Sequence, residues 1–229
     1  MICNLFVFRH AETTDNRDNI FSGWRNPDLT PKGLLQAEEV SQQLIQEKIH
    51  YAFTSHLTRA RKTLKIMLKP HPDIPIFIDD RLIERCYGKL QGKNKVEVAS
   101  EDPEWFAKVH RGYDFRPPDG ESLKMVESRT LPFVIQLESW LRYHPGNVAI
   151  SCHGNSMRPI RRVFEHLSLR QMLRLENPQN KAMEYALHIH RVNINSVAQN
   201  DLKADWRGPV VPSSVKLATD TRNPLNKYY

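Results

Sequence analysis

Cysteine is scarce in this 229-residue sequence, and its three copies, Cys3, Cys86 and Cys152, stand far apart. No Cys-x-x-Cys pair is available to hold zinc or to form a redox couple. No apolar run approaches the ~18 residues that a bilayer crossing requires, which excludes a transmembrane helix. The first nine residues have neither the basic start nor the small-residue cleavage site of a secretory signal, and they read as a strand instead. Asn-x-Ser/Thr acceptors are missing as well. Together these absences point to a reducing, cytoplasmic setting. No internal repeat, low-complexity block or linker divides the chain. One domain over residues 1–229 is expected, with a single sizeable core. An irregular tail is expected from about residue 203, where Pro209, Pro212 and Pro224 sit among scattered charges.

What is present in excess is positive charge, +7 at neutral pH with a pI near 9.4. Such a balance suits either a nucleic-acid surface or a pocket for a small anion. Arg158, Arg161, Arg162, Arg170 and Arg174 fall on successive helical stretches, and the helix of Met157, Ile160, Val163, Phe164 and Leu167 is expected to carry several arginines on its outer face. No aromatic-basic recognition motif accompanies them, so a specific nucleic-acid partner is not expected. His188 and His190 would share one face of a strand, but no third ligand stands at convincing spacing for a metal, and none is assigned.

Periods of two and of 3.6 alternate along the chain, as parallel-sheet α/β proteins require. Strands are expected at 5–8, 51–54, 76–78 and 148–151, with a late one carrying Leu187, Ile189, Val192 and Ile194. Thr30-Pro31 reads as an N-cap followed by proline at the first helical position, ahead of the stripe Ala37, Val40, Leu44 and Ile45. A second helix starts near Thr58. Pro117-Pro118-Asp119-Gly120 breaks the chain, and a long helix follows it that Pro132 should kink or interrupt.

In open α/β sheets, ligands gather at the carboxyl ends of the strands, where loops are free to present side chains. Two histidines sit at such ends. His10 follows the first strand, and His153 follows the strand ending near Ser151 in Cys152-His153-Gly154-Asn155-Ser156-Met157-Arg158. A lone histidine after a strand is more often a structural hydrogen-bonder than a catalyst, but two in equivalent places, each with arginine nearby, shift those odds. Arg59 enters a helix after a strand, and Glu84 is one carboxylate among cations in Glu84-Arg85-Cys86-Tyr87-Gly88-Lys89-Leu90-Gln91-Gly92. A plain salt bridge with Arg85 is the competing explanation for Glu84. Cys152 and Arg158 also show the C-x5-R spacing of cysteine-dependent phosphatases, in which a thiolate attacks phosphorus. That alternative leaves His10, Arg59 and Glu84 without a purpose.

The ordered set of segments resembles the histidine phosphatase superfamily and, within it, the cofactor-dependent phosphoglycerate mutases. The matches are Arg9-His10-Ala11-Glu12-Thr13, Asn16 to Asn19, Phe21-Ser22-Gly23-Trp24, Leu29 to Gly33, Thr54 to Ala60, Glu84 to Gly92 with Lys95, Arg111-Gly112, Glu121-Ser122-Leu123, and His153 to Ser156 with Arg158. The resemblance implies a three-layer α/β/α sandwich with a mostly parallel central sheet. It implies that neutral His10 attacks phosphorus, that Arg9, Arg59 and a charged His153 hold the phosphoryl oxygens, and that Glu84 moves the proton of the leaving and incoming oxygens. A pairing of one His10 nitrogen with a backbone carbonyl is expected to fix its tautomer. By the same resemblance Asn16, Ser22, Gly23, Arg85, Tyr87, Lys95, His110, Arg111, Gly154 and Asn155 hold a small phosphorylated acid, with 2,3-bisphosphoglycerate as phosphoryl primer and no metal.

The resemblance leaves room for a homo-oligomer, and it leaves two reactions open. A mutase passes the phosphoryl group to an organic hydroxyl, whereas a phosphomonoesterase of the same superfamily passes it to water. Ala11 stands where the family usually has glycine, His110 stands where mutases tend to have a second arginine, and the segment from Pro117 to Leu123 is short, as in the phosphatases. The tail after Leu202 is a candidate cover against water.

Overall fold

The computed structural model describes residues 1–71 and 73–189. Five strands form one sheet in the order β3-β2-β4-β1-β5, with β1 Ile2–Arg9, β2 Tyr51–Thr54, β3 Ile76–Ile78, β4 Val148–Cys152 and β5 Ala182–His188. Strands β1 to β4 pair in parallel, and β5 runs antiparallel along β1. The helices are α1 Thr14–Arg17, α2 Pro31–Gln43, α3 Thr58–Met67, α4 Lys95–Glu101, α5 Pro103–Arg111, α6 Leu123–Leu141, α7 Gly154–Phe164 and α8 Leu169–Arg174.

β1 and β4 are covered on both faces, which is why they read as unbroken apolar runs rather than as alternating ones. Leu5, Val7 and Ile150 pack on one side with Phe133 and Leu137 of α6 and Ile160 of α7. Phe6, Phe8 and Ala149 pack on the other with Val40 of α2 and Leu64 and Met67 of α3. The result is a three-layer α/β/α sandwich with a mostly parallel sheet.

Local signals account for most boundaries. The Thr30 hydroxyl accepts from Gly33 N at 2.9 Å, with Pro31 in the first turn of α2, and Ser122 caps α6 in the same manner. α2 stops at Gln43, so Ile45 falls outside it and is exposed. Pro132 does not interrupt α6, which runs through it as one 19-residue helix. The missing hydrogen bond of an interior proline costs about 3 kcal/mol, and burial of Phe133, Leu137 and Leu141 outweighs it. β5 begins earlier than the apolar pattern suggests; Val192, Ile194, His190 and the tail lie outside the described residues. Among the described residues no helix is long and apolar enough to cross a membrane.

Candidate active site

β1 and β4 end side by side, tied by His10 N donating to Cys152 O at 2.9 Å, so the loops after them open at one point. His10 is buried, with Nδ1 2.8 Å from Ala11 O and Nε2 accepting from Arg59 Nε at 3.1 Å. A carbonyl can only accept, so the ring proton sits on Nδ1 and Nε2 keeps its lone pair. Burial, then the charges of Arg59 and Arg9, hold the His10 pKa well below its ordinary value, and the ring is neutral at pH 7. Ala11 does not take a positive φ, so the absent glycine imposes no strain beside this ring.

The His153 ring lies 5.1 Å from that of His10, centroid to centroid. His153 is the residue before α7; its Nε2 is 2.8 Å from Ser55 Oγ, and its buried Nδ1 has no partner among the described residues. Contrary to the expectation of a charged ring, burial and the neighbouring Arg59, with His10, Arg129 and Arg9, press its pKa well below the ordinary value. Four cation-capable neighbours in a dry site disfavour a further positive charge.

Glu84 is buried and accepts at Oε1 from Arg85 N at 2.7 Å, Asn155 N at 3.2 Å and Asn155 Nδ2 at 3.0 Å. The salt bridge with Arg85 does not form. Arg85 turns its guanidinium away, to the carbonyls of Glu121, Val109 and Phe115, and it does not line the pocket. Its expected contact with substrate is therefore corrected: the fork is consumed in holding three chain segments together. One donor atom from each of His10, Glu84 and His153 lies within 4.8 Å of the others. This trio is ill suited to a metal, because Arg59 Nε already occupies the Nε2 lone pair of His10 and two arginine charges act on that ring.

Arg59 is fully buried and also donates to Gly23 O at 2.8 Å and Arg25 O at 2.7 Å, fixing the loop over the site. Gly23 sits at φ +52°, where a Cβ would come within 2.0 Å of Gln91 Oε1. Burial lowers the Arg59 pKa to about 10, which leaves it charged at pH 7.

These groups open on a cavity of about 200 Å³. Asn16 lines it from α1, Ser22 and Gly23 from the loop after α1, and Tyr87, Lys95, His110 and Arg111 from the segment between Glu84 and the end of α5. Gly154 and Asn155 line it from the start of α7. Five cations, Arg9, Arg59, Lys95, Arg111 and Arg158, face two carboxylates, Glu84 and Glu176. His110 is held down to about 4 by burial and by Arg111, Lys95 and Arg158, so it adds no charge at pH 7.

Four lining residues were not assigned from sequence: Ile20, Arg158, Glu176 and Asn177. The place of Glu176 and Asn177 follows from the direction of β5. An antiparallel β5 must start at the end of the sheet where the parallel strands finish, and Asn177 there accepts from Arg9 and donates to Gly154 O at 2.8 Å. Arg158 is 5% exposed and faces inward, unlike Arg161 and Arg162 on the same helix. The thiolate alternative fails on burial. Cys152 is fully enclosed in the core, and desolvation pushes its thiol up to about 12. His188 is exposed and pairs with Ile2 at the end of β5 opposite the cavity.

A family model described as histidine phosphatase superfamily (branch 1) matches residues 5–201. The chain is 38% identical over 180 residues to a 2,3-bisphosphoglycerate-dependent phosphoglycerate mutase 2 of Gloeobacter violaceus, covering 75% of this chain and 80% of that one. It is 39% identical over 191 residues to a 2,3-bisphosphoglycerate-dependent phosphoglycerate mutase of Nitrobacter winogradskyi, covering 80% of this chain and 91% of that one. Its fold matches a mycobacterial glucosyl-3-phosphoglycerate phosphatase with a TM-score of 0.71 at 20% identity, covering 82% of this chain and 92% of the other.

Proposed function

The chain belongs to the histidine phosphatase superfamily, and from that premise we propose that it is a 2,3-bisphosphoglycerate-dependent phosphoglycerate mutase, interconverting 3-phosphoglycerate and 2-phosphoglycerate through a phosphohistidine on His10. The observation that carries this reading is a neutral His10 whose Nε2 faces Arg59, Glu84 and His153 at one end of a small cation-lined cavity. At about 200 Å³ the cavity is smaller than the ~300–1,000 Å³ typical of drug-sized ligands, which suits a three-carbon ester.

The reaction begins with the Nε2 lone pair attacking phosphorus in line. The N–P bond forms as the ester P–O bond breaks, and charge spreads over three equatorial oxygens. Arg59 Nε releases Nε2 and turns to one of those oxygens, beside Arg9, whose Nε is buried without a partner among the described residues. His153 Nδ1, likewise unpartnered, donates to another, and the approach of a phosphoryl dianion raises the His153 pKa that burial and the neighbouring cations depress. Glu84 gives its proton to the leaving oxygen and takes one from the hydroxyl that next attacks the phosphohistidine. Asn155, with its backbone and side-chain N–H on Oε1, holds the carboxyl in place.

The residues present fit a bisphosphorylated acid, since the unpartnered Arg9 Nε and Arg158 Nε and the cations Lys95 and Arg111 line the same cavity. 2,3-Bisphosphoglycerate, when bound, supplies the phosphoryl group that charges His10. The reading as a phosphomonoesterase draws on one observation, the uncharged His110, which leaves the clamp for a substrate carboxylate one cation short at that position. Purified protein incubated with 3-phosphoglycerate, with and without 2,3-bisphosphoglycerate, separates the two. Cofactor-stimulated formation of 2-phosphoglycerate supports the mutase, and stoichiometric release of inorganic phosphate with no isomer rejects it.

A further inference from the structure

Arg158 is the lining cation for which neither the family resemblance nor the chemistry at His10 supplies a task. It projects from α7 into the cavity wall with 5% of its surface exposed. Its Nη1 donates to Met172 O at 2.8 Å and Leu173 O at 3.0 Å, which pins the guanidinium plane. Its Nε is buried with no hydrogen-bond partner, and among the described residues no carboxylate pairs with it. Arg161 and Arg162 on the same helix each bind a carboxylate at 2.7 Å, Glu165 and Glu127 respectively. A buried cation without a counter-ion is costly unless something else supplies the anion.

Arg158 and Arg111 are tied to one stretch of chain: Arg158 Nη1 holds the carbonyls of Met172 and Leu173, and Arg111 Nη2 donates to Glu176 Oε1 at 2.8 Å. The His10 ring is served by a different cation, with Arg59 Nε donating to its Nε2 at 3.1 Å. Arg158 and Arg111 are therefore the pair on hand for the part of a phosphorylated acid that does not sit on His10. Because Nη1 is committed to carbonyls, the edge formed by Nε and Nη2 remains for a ligand, and that edge matches the two oxygens of a carboxylate.

We propose that Arg158 is a specificity-determining residue that binds the second anionic group of the ligand, the carboxylate or remote phosphate, and supplies the charge that His110 does not. This rests on reading the cavity as the site for a small phosphorylated acid, and it extends that reading by naming the residue that recognises the acid.

The test compares two ligands that share a phosphate and differ in the carboxylate, 3-phosphoglycerate and glycerol 3-phosphate, titrated calorimetrically into the full chain, R158M and R158K. Hydrogen bonds to charged groups are worth ~1.5–3 kcal/mol, so the preference for 3-phosphoglycerate in the parent should fall about 10- to 100-fold in R158M. Affinity for glycerol 3-phosphate should hold, and R158K should fall between, since it keeps the charge but not the fork. Parallel weakening of both ligands would assign Arg158 a structural task in docking α8 and overturn the proposal. So would a parent without preference, or a preference that survives in R158M. A parent that binds with this preference but yields no 2-phosphoglycerate would contradict the mutase reaction while leaving the role of Arg158 in place.

Discussion

His110 offers a quantitative check on the electrostatics of the cavity. Burial, with Arg111, Lys95 and Arg158 close by, sets its pKa at about 4, against about 6.5 for an unfolded histidine. Between these values the unfolded chain binds a proton that the folded chain refuses, so stability is lost as pH falls from about 6.5 toward 4. At pH 5 the unfolded imidazole is nearly all charged while His110 is still mostly neutral, which makes the folded state about 2 kcal/mol less stable than at pH 7 on this account. Replacing His110 by glutamine removes the titration but keeps a polar side chain against Phe106, whose ring lies 5.0 Å away. Urea denaturation of both proteins at pH 7 and pH 5 isolates the effect, because titrations elsewhere in the chain are common to both. The loss of stability on acidification should be smaller in H110Q by about 2 kcal/mol, or about 1 M in the urea midpoint. An equal acid loss in the two proteins would mean that His110 is not held neutral, and the description of the cavity as strongly cationic would fail with it.

Further consequences can be measured. Glu84→Gln keeps the shape around Asn155 but cannot exchange a proton, so kcat should fall roughly 10²- to 10⁴-fold with folding intact, as checked by steady-state kinetics and circular dichroism. Gly23→Ala forces a side chain at φ +52° into Gln91 and displaces the carbonyl that Arg59 holds. A loss of ~1–2 kcal/mol in denaturation midpoint is expected, accompanied by lower activity, and a neutral result would deny that this loop is fixed by Arg59. Cys152→Ala should keep its activity, since a thiol pushed up to about 12 in the core cannot serve as a nucleophile; an inactive but folded variant would reopen the thiolate route.

Sheet, helices and the chemical end of the site were readable in the sequence because each depends on local or strongly periodic features. Burial of β1 and β4 on both faces leaves an apolar run that cannot be mistaken, and Thr30-Pro31 marks a helix start through its own cap. His10 and His153 stood out because each follows a parallel strand. The orientation of long polar side chains was not readable. Arg85 and Arg158 look alike in a string of residues, yet one spends its fork on backbone carbonyls and the other keeps an edge toward the cavity. The protonation of His153 is hidden from the sequence for a related reason: it depends on burial and on Arg59, His10 and Arg129, which come near it only through the fold. Glu176 and Asn177 were missed because their place depends on the direction of β5, which apolar periodicity does not encode.

The central claim is a covalent bond between phosphorus and Nε2 of His10. Brief incubation with 2,3-bisphosphoglycerate, quenching in alkali and peptide mass spectrometry should find one phosphoryl group on His10, stable in alkali, lost in acid and absent from a His10→Gln variant without mutase or phosphatase activity. A phosphoryl group on another residue, or turnover that persists in His10→Gln, would contradict the account.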